Sequence, residues 1–159
     1  MEMTTTFSPQ LLGRTEKTLN AILDRELAGA ITEPEWVTLV LTAASRGAKT
    51  HAEISARVAQ GLRVDQWAAA GRVEQLRAKG LVEVASGAQP CVTLSVDGRR
   101  LLDRVQTQVG EITVRLWGDI PPGDLEAAGR VLSTVLDRAE DELGATGSSA
   151  QRGLPPTVT

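Results

Sequence analysis

Seven basic side chains fall between residues 45 and 80: Arg46, Lys49, Arg57, Arg63, Arg72, Arg77 and Lys79. Only Glu53, Asp65 and Glu74 oppose them, so this stretch carries +4 in a chain whose formal net charge is −3. Guanidinium and ammonium groups gathered in this way contact phosphate. The residues before and after the stretch are net acidic. A basic middle between acidic ends suits local contact with a polyanion, and a solvated pair of charged helices would carry the same residues. Among these cations stand three polar side chains with a different capacity. Gln66 and Gln75 each hold a donor and an acceptor side by side, the arrangement that reads adenine, and Thr50 offers a hydroxyl to phosphate.

Other chemistry is sparse. His51, the one histidine, follows a candidate helix N-cap, where an imidazole could meet phosphate or simply be exposed. Cys91, the one cysteine, has the acidic Glu83 and Asp97 as its nearest charges, surroundings that do not activate a thiol. One cysteine and one histidine cannot assemble a structural zinc site, and neither a glycine-rich phosphate loop nor a nucleophile elbow is present. No enzyme, metal or cofactor is expected.

The elements that must position these groups follow from periodicity and capping. The length of 159 residues, with 42% hydrophobic and 23% charged, suits one ordinary domain. The lone cysteine excludes an internal disulfide, no leading segment resembles a signal, and no uncharged run is long enough to span a bilayer, so a cytoplasmic protein is expected. Leu12, Leu19, Ile22, Leu23 and Leu27 predict a helix over 10–28 after a flexible start, 1–9. Thr32 with Glu35 forms a capping box, with Pro34 in the first turn, and opens a second helix with Val37, Val40, Leu41 and Ala44 on one face, ended by Gly47. Thr50 with Glu53 repeats the box for a third helix carrying Ile54 and Val58 until Gly61 interrupts it. Asp65 caps a fourth, in which Ala69, Val73 and Leu76 recur before Gly80. Val82 and Val84, a turn at Ser86 and Gly87, and the run Val92 to Leu94 read as a hairpin. Ser95 caps a fifth helix with Leu101, Leu102, Val105, Val109, Ile112 and Leu116. After GDIPPGD, a sixth carries Leu125, Ala128, Leu132, Val135, Leu136, Ala139 and Leu143. Residues 144–159 are Gly/Ser/Thr/Pro-rich and read as a disordered tail.

This order resembles the MarR (multiple-antibiotic-resistance regulator) family over residues 10–143. VEQLRAKGLVEV resembles the end of that family's recognition helix running into the first wing strand, and VTLSVDGRRLL resembles the second wing strand entering the fifth helix. WVTLVLTAASRG and DIPPGDLEAAGRVLSTVLDRAEDEL resemble the second helix and the C-terminal dimer helix. The resemblance implies a mostly α protein with a small β-hairpin wing. A winged helix-turn-helix over about 32–95 would lie between dimerisation helices at 10–28 and 95–143. It further implies a homodimer that binds a roughly palindromic duplex and regulates transcription, as a repressor relieved by a small molecule. Three long apolar stripes in the terminal helices agree with a symmetric partner.

The resemblance departs in three places. Thr50 to Gly80 is about one helical turn too long, with the excess near AQGLR. Trp67, Ala68, Ala70 and Gly71 stand where the family often offers Ser, Thr and Arg. The wing loop, Ala85 to Pro90, is short and lacks arginine. The expected DNA contacts are therefore Arg46, Thr50, Arg57 and Arg63 to phosphate, with Arg63 also able to reach guanine, and Gln66 and Gln75 to bases. Arg72 is expected to pair with Glu74 or another acidic neighbour. Trp36 and Trp117 pack in the core or dimer seam, or line a pocket for a small aromatic effector. The competing reading is a winged-helix dimer that has lost operator binding and serves as a ligand-binding or protein-interaction module.

Overall fold

The computed structural model describes residues 6–45, 49–85 and 90–150, and the chain divides after Thr113 into two units. The first holds α1 (Pro9–Leu27), α2 (Glu33–Ala44), β1 (Lys49–Thr50), α3 (His51–Leu62), α4 (Gln66–Ala78), β2 (Val82–Ala85), β3 (Cys91–Leu94) and most of α5 (Val96–Trp117). The second holds the end of α5 and α6 (Pro122–Ala150).

The caps lie where the sequence placed them. Thr32 N–H donates to Glu35 Oε2 at 2.8 Å and Thr50 N–H to Glu53 Oε2 at 2.8 Å, the two capping boxes. Asp65 Oδ1 accepts from Ala68 N–H at 2.8 Å, and Ser95 Oγ from Gly98 N–H at 2.9 Å. Gly80 follows α4 with φ +70°, the left-handed conformation that glycine takes without cost.

One core serves the first unit. Leu39 of α2, Ile54 and Val58 of α3, Val73 and Leu76 of α4, and Val105 of α5 are completely or almost completely buried together. The buried face of α2 differs from the expected one: it runs through Glu35, Thr38, Leu39 and Thr42, with Trp36 beside it. Two threonines can face the core because Thr38 Oγ1 donates to Pro34 O and Thr42 Oγ1 to Thr38 O, both at 2.8 Å. Val37, Val40 and Leu41 are half-buried, and Ala44 is exposed.

Two further differences concern the motif itself. Gly61 is the penultimate residue of α3, which ends at Leu62, one residue past the expected interruption; a Cβ there would meet only the flexible end of Leu41, Cδ1 at 2.9 Å. The segment expected to hold the excess is continuous helix as far as Leu62, α3 having 12 residues. The sheet has three strands in the order β1-β3-β2, all antiparallel, because Lys49 and Thr50 pair with Val92 and Cys91. Gly47, the expected stop of α2, lies outside the described residues, as does the wing tip, 86–89. In the second unit α6 continues past Leu143 to Ala150, since a glycine at 144 weakens a helix by about 1 kcal/mol without ending it. Residues 151–159 are outside the described set.

Candidate nucleic-acid interface

The charged stretch folds into α3, a three-residue turn and α4, the last two helices packed on α2. Arg63 closes α3 in the left-handed conformation, φ +51°, its N–H donating to Ala59 O, and Val64 N–H joins the same carbonyl at 3.1 Å. Because Ala69, Val73 and Leu76 anchor α4 on the core, its opposite face is presented outward. Two ties hold the C-terminal end. Lys79 Nζ donates to Glu35 Oε2 at 2.8 Å, and Ser95 Oγ donates to Gly80 O at 2.6 Å. Burial alone would raise the Glu35 carboxyl, but the Lys79 ammonium and the N–H and hydroxyl of Thr32 together hold it below its ordinary value.

The predicted contact residues are spread over this surface. Gln66 opens α4 and Gln75 lies further along it, both exposed. Arg57 is exposed on α3, with Nη1 donating to Ser45 Oγ at 3.1 Å. Arg63 is exposed in the turn, as the cap of α3 and not as part of α4. Thr50 has committed its N–H and hydroxyl to Glu53, whose carboxyl these bonds hold below its ordinary value. Arg46 lies outside the described residues. Arg72 does not take Glu74: Arg77 Nε donates to Glu74 Oε2 at 2.7 Å, and His51 Nε2 stands 3.3 Å from Glu74 Oε1 without hydrogen-bond alignment. His51 thus faces α4, with Nδ1 3.3 Å from Ser55 Oγ. One exposed residue the sequence reading passed over is Trp67, 89% accessible beside Gln66.

No protein-family profile and no curated protein matches this sequence. Solved structures do. A MarR-family transcriptional regulator from Rhodococcus sp. RHA1 superposes with TM-score 0.61 at 20% identity, over 79% of this chain and 89% of its own. Staphylococcus aureus MepR, in its complex with DNA, gives TM-score 0.69 at 19% identity, over 84% of this chain and 97% of its own. Bordetella bronchiseptica BpsR, described with the regulation of its DNA binding by 6-hydroxynicotinic acid, gives TM-score 0.63 at 23% identity over 86% and 98%. The chain has the MarR winged-helix fold.

In MarR terms α3 and α4 are the helix-turn-helix, and β2 and β3 are the wing. Beside the wing, a cavity of about 360 Å³ opens between the end of α2, β3 and the start of α5, within the size range of small-molecule sites. Thr42, Ser45, Val92, Leu94, Arg99 and Leu102 are among its walls, and Arg99 Nη1 donates to Leu94 O at 2.7 Å. The two candidate pocket tryptophans are placed elsewhere. Trp36 belongs to the core of the first unit, and Trp117 is half-buried at the end of α5.

Proposed function

We propose that this protein is a DNA-binding transcriptional regulator, a homodimeric repressor that holds a roughly palindromic duplex and releases it on binding a small molecule. The observation that carries the reading is the exposed outer face of α4, anchored by its inner face and set within the basic stretch. Phosphate contacts fall to Arg57 and Arg63, with Arg46 beside them in the sequence, and to Thr50 only if its cap opens. Gln66 and Gln75 supply polar base contacts. MepR has been crystallised with DNA, and BpsR answers to 6-hydroxynicotinic acid; both support a duplex and a small aromatic effector for this chain. The effector site can be the cavity behind the wing or a pocket lined by Trp36 or Trp117. A homodimer is supported by α6, where Leu125, Val131, Leu132, Val135, Leu136 and Leu143 are all exposed in the single chain. The cytoplasm is the compartment such a regulator would occupy.

The test is selection of duplexes from a random library by the purified full chain, followed by anisotropy titrations across salt. A recovered motif with two-fold symmetry and a negative slope of log K against log salt is the expected outcome. Absence of any preferred duplex at low salt would favour the second reading, a winged-helix dimer that binds ligands or proteins. The observation behind that alternative is the outer face of α4, whose Trp67, Ala68 and Gly71 lack the usual base-reading groups.

A further inference from the structure

An α-helix turns about 100° per residue, so the stripe opposite Ala69, Val73 and Leu76 runs through Trp67, Gly71, Glu74 and Ala78. Gln75 stands to one side of that stripe, and Gln66 lies nearer the core flank. The residue most directly presented at the front of α4 is therefore a tryptophan, 89% exposed, a side chain that folded proteins ordinarily cover. Its surroundings are cleared. Gly71, one turn on, has no atom within 4 Å of the place a Cβ would take, so packing does not explain a glycine that weakens the helix. With Gln66 and Ala70 the indole lines a shallow cavity of about 290 Å³. The one charge on the stripe, Glu74, is compensated by Arg77 at 2.7 Å and faces His51.

An apolar plate set in a stretch of +4 fits a polyanion that carries an apolar feature. Duplex DNA has one in its major groove, the C5-methyl group of thymine. We propose that Trp67 is the principal base-reading side chain of this protein, packing its indole against thymine methyls while the small Ala70 and Gly71 let the base edges approach. This rests on the DNA-binding reading above and replaces hydrogen-bond readout with apolar readout as the main source of specificity.

The experiment takes the best duplex from the selection and replaces thymines singly with deoxyuridine, which removes only the methyl. Wild-type protein and Trp67→Ala are titrated against both duplexes and against random duplex. Wild type is expected to weaken about four-fold at each contacted methyl, the worth of one buried carbon. Trp67→Ala is expected to bind the thymine and deoxyuridine duplexes alike, to lose ten-fold or more on the selected duplex, and to keep its affinity for random duplex. Its thermal midpoint should be unchanged, since the ring is exposed. Wild type that ignores every methyl, or a Trp67→Ala protein that weakens on all duplexes equally or on none, overturns the proposal and leaves the regulator standing. Absence of duplex binding by wild type overturns both.

Discussion

Gly98 occupies the third position of α5, where that helix starts against the end of α4. A Cβ built there collides with the carbonyl oxygen of Leu81, with Leu81 C at 3.0 Å and Leu81 Cα at 3.4 Å. The obstacle is backbone, so it cannot rotate away. Leu81 O accepts from Ser95 N–H at 3.0 Å, and Ser95 Oγ ties Gly80 O to Gly98 N–H. Gly98→Ala must therefore part α5 from the segment that joins α4 to β2. Two hydrogen bonds across that junction are strained, at about 1 kcal/mol each, and overpacking adds about 1–3 kcal/mol. The better helix propensity of alanine returns less than about 1 kcal/mol. The net loss should be about 2–4 kcal/mol, a fall of about 1–2 M in urea midpoint for a slope near 2 kcal/mol/M. Urea unfolding followed by far-UV circular dichroism and by tryptophan emission, to which the buried Trp36 contributes, measures it. Gly110→Ala in the same helix is the contrast: nothing lies within 4 Å of its Cβ position, and a gain of about 0.4–1 kcal/mol is expected. Equal midpoints for wild type and Gly98→Ala would refute the argument that this glycine sets the approach of α5 to α4.

In the native state the Lys79 ammonium and the Thr32 N–H and hydroxyl outweigh the effect of burial and hold the Glu35 carboxyl below its ordinary value of about 4.5. The stability it contributes is complete above that value and is lost as pH falls through the lower folded one, so acid unfolding curves of Glu35→Gln should be flatter below about pH 4.5 than those of wild type. Arg63→Ala keeps a Cβ in the same left-handed conformation and removes the charge. It should lower the salt slope by about one unit on selected and random duplex alike, whereas Gln66→Ala should weaken the selected duplex alone, and by less than Trp67→Ala does. If α6 forms the proposed dimer seam, paired Leu132→Glu and Leu136→Glu substitutions on its exposed stripe should give monomer in sedimentation velocity; the two carboxylates four residues apart repel by only about 0.2–0.5 kcal/mol, so helix content should be retained.

Capping chemistry was legible because it is local: a hydroxyl and a carboxylate three residues apart satisfy the same free N–H groups in any context, and both boxes formed where they were read. The stripes of α4 and of α5 as far as Ile112 were legible for a similar reason, since Leu, Val and Ala announce their faces by type, although Leu116 at the end of the α5 stripe is exposed. The face of α2 was not. Thr38 and Thr42 look polar in sequence but bury by donating to carbonyls one turn back, which moves the true stripe away from Val37, Val40 and Leu41. The strand β1 is two residues long and exists only through its pairing with β3, so no periodicity could reveal it.

The ranking of contact residues depends on direction as well as on capacity. Hydrogen-bonding capacity puts Gln66 and Gln75 first, whereas direction puts Trp67 first, on the side of α4 that faces away from Val73 and Leu76. On that side the helix offers an indole, a glycine, a neutralised carboxylate and an alanine. If such a surface reads DNA, it discriminates through shape and methyl contact, and its affinity must come from cations that are not on α4. Arg57 on α3 and Arg63 in the turn are placed to supply it. Sequence preference and overall affinity would then reside on different elements, so substitutions in α4 should change which duplex is bound, and substitutions in α3 and the turn how tightly any duplex is held.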